Sequence, residues 1–220
     1  MTAPPQPGAG AAEAPPLSFL FDGSDDARLT VVLAHGAGGP VDSPFLTDFA
    51  RGLAAAGYRV ARFELPYMRR RRADGRRRRP DPPAVLAADW RAAIAALGDP
   101  ARLVVGGKSM GGRIASVVAD EAGVAGLLCL GYPFHPVGRP ETRRTAHLRG
   151  LRTPALFVQG ERDPFGSRDE VAGYELSPAI EIAWIADGDH SWKPRQASGR
   201  TARENLAAGV AAAVEWLGRF

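Results

Sequence analysis

Cysteine is almost absent from this 220-residue chain: Cys129 stands alone, so no internal disulfide can form, and it sits in the apolar run Gly126 to Leu130 as core filler. Lysine is equally scarce. Lys108 and Lys193 are the only two, and the net charge of +4 comes from arginines concentrated in Arg69 to Arg72 and Arg76 to Arg79. No stretch reaches the roughly 18 consecutive apolar residues that a membrane span needs. The first thirty residues lack the basic start and apolar run of a secretory signal, so the expectation is a cytoplasmic protein. Histidine is limited to His35, His135, His147 and His190, few enough to weigh one at a time.

At 45% hydrophobic and 24% charged, the chain can bury one substantial core. Met1 to Pro16 is mostly Pro, Ala and Gly and buries too little to offset its ordering entropy, so residues 1–16 are expected to be a disordered tail and 17–220 one domain. Short apolar runs then alternate with amphipathic stretches, the signature of βαβ units around a parallel sheet. Strands are expected at Leu17 to Phe21, Leu29 to Ala34, Tyr58 to Phe63, Leu103 to Gly106, Gly126 to Leu130, Ala155 to Gln159 and Ile180 to Ile185. A helix is expected over Pro44 to Ala56, with Ser43 as N-cap and Gly57 as its stop. A second starts at Asp81 and Pro82 and carries Leu86, Trp90, Ala93, Ile94 and Leu97 on one stripe. The last has Thr201 and Glu204 at capping-box spacing. Segments 64–80 and 131–152 lack periodicity and read as loops.

The chemistry concentrates where Leu103-Val104-Val105-Gly106 runs into Gly107-Lys108-Ser109-Met110-Gly111, a strand turning into a helix with G-x-S-x-G at the corner. With 26 glycines in the chain the pattern alone carries little, and its strand-to-helix context is what points to Ser109 as a nucleophile. The N–H of Met110, at the helix start, then faces the developing oxyanion. A phosphate-binding loop competes for Gly107-Lys108-Ser109. It requires glycine at position 102, where this chain has Arg102, and a flexible cradle where it has an apolar strand.

Partners follow in the order nucleophile, acid, base. Asp163 comes directly after the strand Ala155 to Gln159, and His190 directly after Ile180 to Ile185, both at carboxyl strand ends. His190 would accept the serine proton and Asp163 would fix its tautomer. Asp187 and Asp189, on the histidine's own loop, are read as shaping that turn. His35 opens the glycine-rich segment His35-Gly36-Ala37-Gly38-Gly39, which would supply a second oxyanion donor, with Ala37 favoured over Gly38. His147 reads as a surface or structural histidine.

The arginine run could bind a polyanion, because eight guanidinium groups in eleven positions would release many counterions on contact with phosphate. It lacks interleaved aromatics for base stacking, and a solvated, self-repelling loop is the preferred reading.

Several segments together resemble a known group: Leu33 to Gly39, Phe63 to Met68 followed by Arg76 to Asp81, Gly107 to Arg113, Gly131 to Pro136, Leu156 to Gly166 and Gly188 to Trp192. They are similar to the dienelactone-hydrolase-related branch of the α/β-hydrolases, and more closely to the testis-expressed 30 and nonspecific-lethal complex subunit 3 group. The resemblance runs from about residue 17 to 218. It implies an α/β-hydrolase fold with little or no cap, and Ser109, Asp163 and His190 at the nucleophile, acid and base positions. Dienelactone hydrolases themselves carry a cysteine nucleophile, whereas this chain has serine. The expected pocket lining is Gly38, Lys108, Tyr132, His135 and Trp192, with no cofactor and no metal. Three functions stand open: a serine hydrolase of a small ester, thioester or amide; a silent hydrolase-fold scaffold, as some members of the closer group serve in larger assemblies; and polyanion binding.

Overall fold

The computed structural model describes residues 14–220. The expected tail therefore lies almost wholly outside the described residues. Seven strands form one sheet: β1 (Phe19–Asp22), β2 (Thr30–Ala34), β3 (Arg59–Phe63), β4 (Leu103–Lys108), β5 (Gly126–Leu130), β6 (Ala155–Gly160) and β7 (Ile180–Ile185), in the order β1-β3-β2-β4-β5-β6-β7. β1 runs antiparallel to β3 and every other pair is parallel. Every residue of β2, β5 and β6 is buried, which explains why these strands read as unbroken apolar runs rather than as alternating patterns.

Helices α1 (Pro44–Ala55), α2 (Pro66–Asp74), α3 (Pro83–Leu97), α4 (Met110–Ala122), α5 (Arg168–Val171) and α6 (Ala202–Leu217) complete the layers. Alternate strand residues feed two cores. Val32, Val105 and Leu127 meet Trp90 of α3 and Ile114 and Val118 of α4 on one face. Val31, Leu33, Val104 and Leu128 meet Phe49 and Leu53 of α1 and Trp216 of α6 on the other. The capping box at Thr201 and Glu204 forms as the spacing predicts. Ser43 occupies the N-cap position of α1 without a side-chain cap bond, and the fixed φ of Pro44 does the starting instead. No helix among the described residues is long and apolar enough to cross a membrane.

The segment 64–80, expected as a loop, contains α2. Periodicity missed it because only Pro66, Tyr67 and Met68 bury; the remainder of the helix is held by ion pairs. Arg69 makes a two-pronged contact with Asp89 of α3 at 2.7 and 2.8 Å and also donates to the Glu64 carbonyl. Arg70 pairs with Asp81, Arg72 with Glu64 and Asp42, and Arg78 with Asp74. Four of the eight arginines are thus spent inside the fold, and self-repulsion is offset locally. Segment 131–152 is irregular as expected, apart from a 3-10 turn at Ala146–Gly150.

Arg69 and Asp89 are about one-tenth exposed, so losing one partner strands a poorly solvated charge on the other. Arg69→Leu is expected to lower the unfolding free energy by about 3 kcal/mol, and adding Asp89→Leu should recover most of that loss. Urea titrations of both single variants and the double variant measure the coupling.

Candidate active site

Ser109 sits between β4 and α4 at φ 51° and ψ −114°, a conformation that costs a non-glycine residue about 1–3 kcal/mol. Its flanks hold it there. A Cβ on Gly107, whose φ is +138°, would lie 2.1 Å from the Ala34 carbonyl oxygen, and one on Gly111 would lie 2.5 Å from that same atom. The corner is therefore pressed directly onto the end of β2, which only glycine at both positions permits. Ser109 donates its own N–H to the Leu130 carbonyl at 3.0 Å and accepts from Arg113 N–H at 3.0 Å, which starts α4. Because Leu103 to Gly106 are locked in β4, this segment offers no flexible phosphate cradle.

The three residues singled out in the sequence come together. His190 Nε2 lies 2.9 Å from Ser109 Oγ, and His190 Nδ1 lies 2.8 Å from Asp163 Oδ2. The Asp163 carboxylate is fully buried. Its Oδ1 accepts from Phe165 N–H at 2.9 Å, and the Phe165 ring packs 4.3 Å from the imidazole, centroid to centroid. With Nδ1 donating to Asp163, Nε2 is left as an acceptor facing the hydroxyl. Asp189 accepts from the Ser191 and Lys193 N–H groups, and Asp187 pairs with Arg162 and Arg195, so both shape the His190 turn.

Two supporting residues escaped the sequence reading. Gln159 closes β6 fully buried; its Nε2 lies 3.1 Å from Asp163 Oδ2 and its Oε1 accepts from Tyr132 N–H at 2.7 Å. The available signal was a lone amide ending an otherwise apolar strand. Tyr67, hidden in the segment read as a loop, brings its hydroxyl to the Gly36 and Ala37 carbonyls at 3.4 and 3.3 Å. His35 completes that support: its Nδ1–H donates to the Gly36 carbonyl at 2.7 Å and its Nε2 accepts from Leu65 N–H at 3.1 Å. Burial holds His35 below the usual histidine range, in keeping with a neutral strut.

Beside Ser109 opens a cleft of about 410 Å³. Ala37, Gly38, Phe45, Lys108, Phe165 and His190 are among its walls. Neither the Ala37 nor the Met110 N–H is taken by a protein acceptor among the described residues. The Met110 side chain itself belongs to the core. Tyr132, His135 and Trp192, expected to line the pocket, do not. Tyr132 is fully buried, stacked on Phe157, with its hydroxyl on the Arg144 carbonyl. His135 is buried and donates from Nδ1 to the Pro136 carbonyl. Trp192 points its indole inward against Phe45 and Phe49, at 4.8 and 5.9 Å, and so anchors the loop that carries His190. His147 bonds to Ser116, a structural contact.

A mostly parallel sheet with a strained serine at one strand-to-helix corner, and an aspartate and a histidine at the ends of later strands, defines an α/β-hydrolase fold without a large cap. Residues 27–218 match the family described as alpha/beta hydrolase domain, and the chain belongs to that family. Solved structures similar to it include a dienelactone hydrolase from Anabaena variabilis, at 23% identity and TM-score 0.70, covering 93% of this chain and 92% of that one. An alpha-beta serine hydrolase homologue from Coxiella burnetii aligns at 20% identity and TM-score 0.66, over 89% and 91% of the two chains. A serine hydrolase without lid from Xanthomonas campestris aligns at 18% identity and TM-score 0.63, over 97% and 98%. At these identities the likeness is one of fold.

Burial lowers the Lys108 ammonium from the ordinary lysine value to about 8, opposed by the nearby Asp163 and Asp189. Between pH 8 and 10.5 the unfolded chain holds this proton and the folded chain does not, so stability rises with pH across that window. Below pH 8 the buried charge costs on the order of 3 kcal/mol. Lys108→Met is accordingly expected to unfold at a higher denaturant concentration than wild type at pH 7, with the gap closing as pH approaches 10.5. Equilibrium unfolding at several pH values checks both the sign and the window.

Proposed function

We propose that this protein is a serine hydrolase that cleaves a small ester, thioester or amide through an acyl-enzyme. The observation that carries this reading is the unbroken hydrogen-bond chain from Ser109 Oγ through His190 to the buried Asp163 carboxylate. In the first half-reaction the Ser109 oxygen attacks the substrate carbonyl while His190 Nε2 takes the hydroxyl proton. Asp163 keeps the remaining proton on Nδ1 and stabilises the imidazolium. The carbonyl oxygen becomes an oxyanion, received by the Met110 and Ala37 N–H groups, and the imidazolium then protonates the leaving group. Water, deprotonated by the same Nε2, repeats the sequence on the acyl-enzyme and releases the acid. Serine is the nucleophile here, where dienelactone hydrolases carry cysteine, so dienelactone turnover is not part of the proposal.

The cleft supports a small substrate. Phe45, Leu46 and Phe165 give it apolar walls, and among the described residues no carboxylate side chain lines it. A short acyl or aryl group fits such walls, with no cationic substrate group called for. The segment likeness to the testis-expressed 30 group supports the same lidless core. Charge favours hydrolysis over polyanion binding, since half of the arginine run is already paired within the fold.

A fluorophosphonate probe tests the reading. Wild type should label covalently, Ser109→Ala should not label at all, and His190→Ala and Asp163→Asn should slow labelling by about 10³ to 10⁴-fold. Equal labelling of wild type and all three variants would overturn it, and absence of labelling and of ester turnover in the wild type would leave the scaffold reading in its place.

A further inference from the structure

Lys108 precedes the nucleophile, yet its side chain serves the other end of the site. Its Nζ donates to the backbone carbonyl of His190 at 2.5 Å, joining residues 82 positions apart. Gly131, at the end of β5, makes the room. Its φ is +67°, and a Cβ there would lie 2.8 Å from Nζ, 3.1 Å from the His190 carbonyl oxygen and 3.4 Å from His190 Nδ1. The Phe45 ring lies 5.6 Å from Nζ on the cleft side, within reach of a cation–π contact. Three strand ends, those of β4, β5 and β7, therefore meet at one ammonium.

We infer that Lys108 is a positioning residue for the proposed reaction, a staple that fixes the backbone of His190 so that Nε2 stays in register with Ser109 Oγ. The inference rests on the hydrolase reading above and adds to it the question of what holds the base in place. The other contacts of the His190 loop, through Asp189, Trp192 and Arg162, are made with residues on either side of the histidine. At the histidine itself the staple takes the carbonyl, while Asp163 and Ser109 take the ring. Freed of it, the loop would keep its fold but lose definition at the one residue whose ring must hold two bonds at once, and a small misplacement of a reacting group is costly in rate.

A second consequence concerns pH. The charged or titratable groups around Nζ are Asp163 on the loop after β6 and Asp189 and His190 on the loop after β7; α1 offers only the Phe45 ring and the β5 end only Gly131. A bond from an ammonium is roughly twice as strong as one from a neutral amine. The staple is tight while Lys108 is charged and slackens as pH rises through about 8.

The test is the pH profile of kcat and kcat/KM on p-nitrophenyl acetate for wild type, Lys108→Met, Gly131→Ala and Lys108→Cys alkylated with 2-bromoethylamine. That alkylation rebuilds the side chain as a thioether analogue whose amine is more acidic. Cys129 is buried, with its thiol pushed well above its usual range, and stays unmodified. Wild type should lose about tenfold in kcat, with little change in KM, as pH passes through about 8. In Lys108→Met kcat should be low throughout and that fall absent, although the variant is the more stable protein. Gly131→Ala, whose new methyl displaces the ammonium, should behave like it, and the alkylated variant should recover activity with its fall at lower pH. Lys108→Met with the wild-type kcat and profile would overturn the staple while leaving the hydrolase intact. Loss of probe labelling by wild type would instead overturn the hydrolase reading and this one with it.

Discussion

The site depends on the pressure of the β4–α4 corner against the end of β2. Gly107 and Gly111 both lie on the Ala34 carbonyl, closer than any side chain would permit, and this contact leaves Ser109 no relaxed backbone to adopt. The same contact does more than strain one residue. The loop His35 to Gly39 leaves β2 directly after Ala34, so wherever Ala34 is fixed relative to Met110, the two backbone N–H groups proposed to receive an oxyanion are fixed relative to each other. His35 and Tyr67 then hold that loop from behind through its carbonyls, which leaves its N–H groups to the cleft.

The opposite wall adds side-chain contacts to a glycine close approach of its own. The loop after β7 lies close on Gly160, where a Cβ would come within 2.3 Å of the Asp189 carbonyl oxygen, and it is pinned besides at many points by side chains from distant segments. Trp192 is wedged among Phe45, Phe49 and α6, Asn205 of α6 donates to the Trp192 carbonyl at 2.8 Å, and Asp187 and Trp192 both accept positive φ to make the turn. A fixed Ser109 facing a histidine that many weak contacts position gives geometry sensitive to each of those contacts. The Lys108 bond crosses from the first wall to the backbone of the second.

This contrast explains what the sequence could reveal. The strands, the helices α1, α3 and α6, and the serine corner are written in local patterns, because close approach selects glycine at fixed offsets and burial on both faces selects apolar runs. Asp163 and His190, the proposed acid and base, could be picked out as candidates from chain order and strand ends. Gln159, Trp192 and Lys108 were not legible in their supporting roles: Trp192 and Lys108 act across dozens of residues on partners that no local pattern names, and Gln159 ties Asp163, four residues on, to Tyr132, 27 residues back. Tyr132 and His135 misled for the same reason: their position after β5 places them at the correct edge of the sheet, but packing turns them into the core. The helix α2 was invisible because its stability comes from carboxylates at 42, 64, 81 and 89 rather than from an apolar stripe.

Charge placement separates two kinds of basic residue in this chain. Arg69, Arg70 and Arg72 of α2 sit where acids meet them, so their charge does structural work and projects little field. Lys108 has the opposite circumstance: among the described residues no carboxylate side chain bonds to it and its hydrogen-bond partner is a carbonyl, while desolvation acts against its proton. A chain selected for stability alone would place an apolar residue there, as it would relax Ser109 and leave Asp163 out of the interior. All three unfavourable features lie at the carboxyl edge of the sheet, around one histidine, while the fully buried strands β2, β5 and β6 carry no such burden. Clustering of strain, a buried carboxylate and a buried ammonium at one point is what a reaction centre requires and what packing would otherwise avoid.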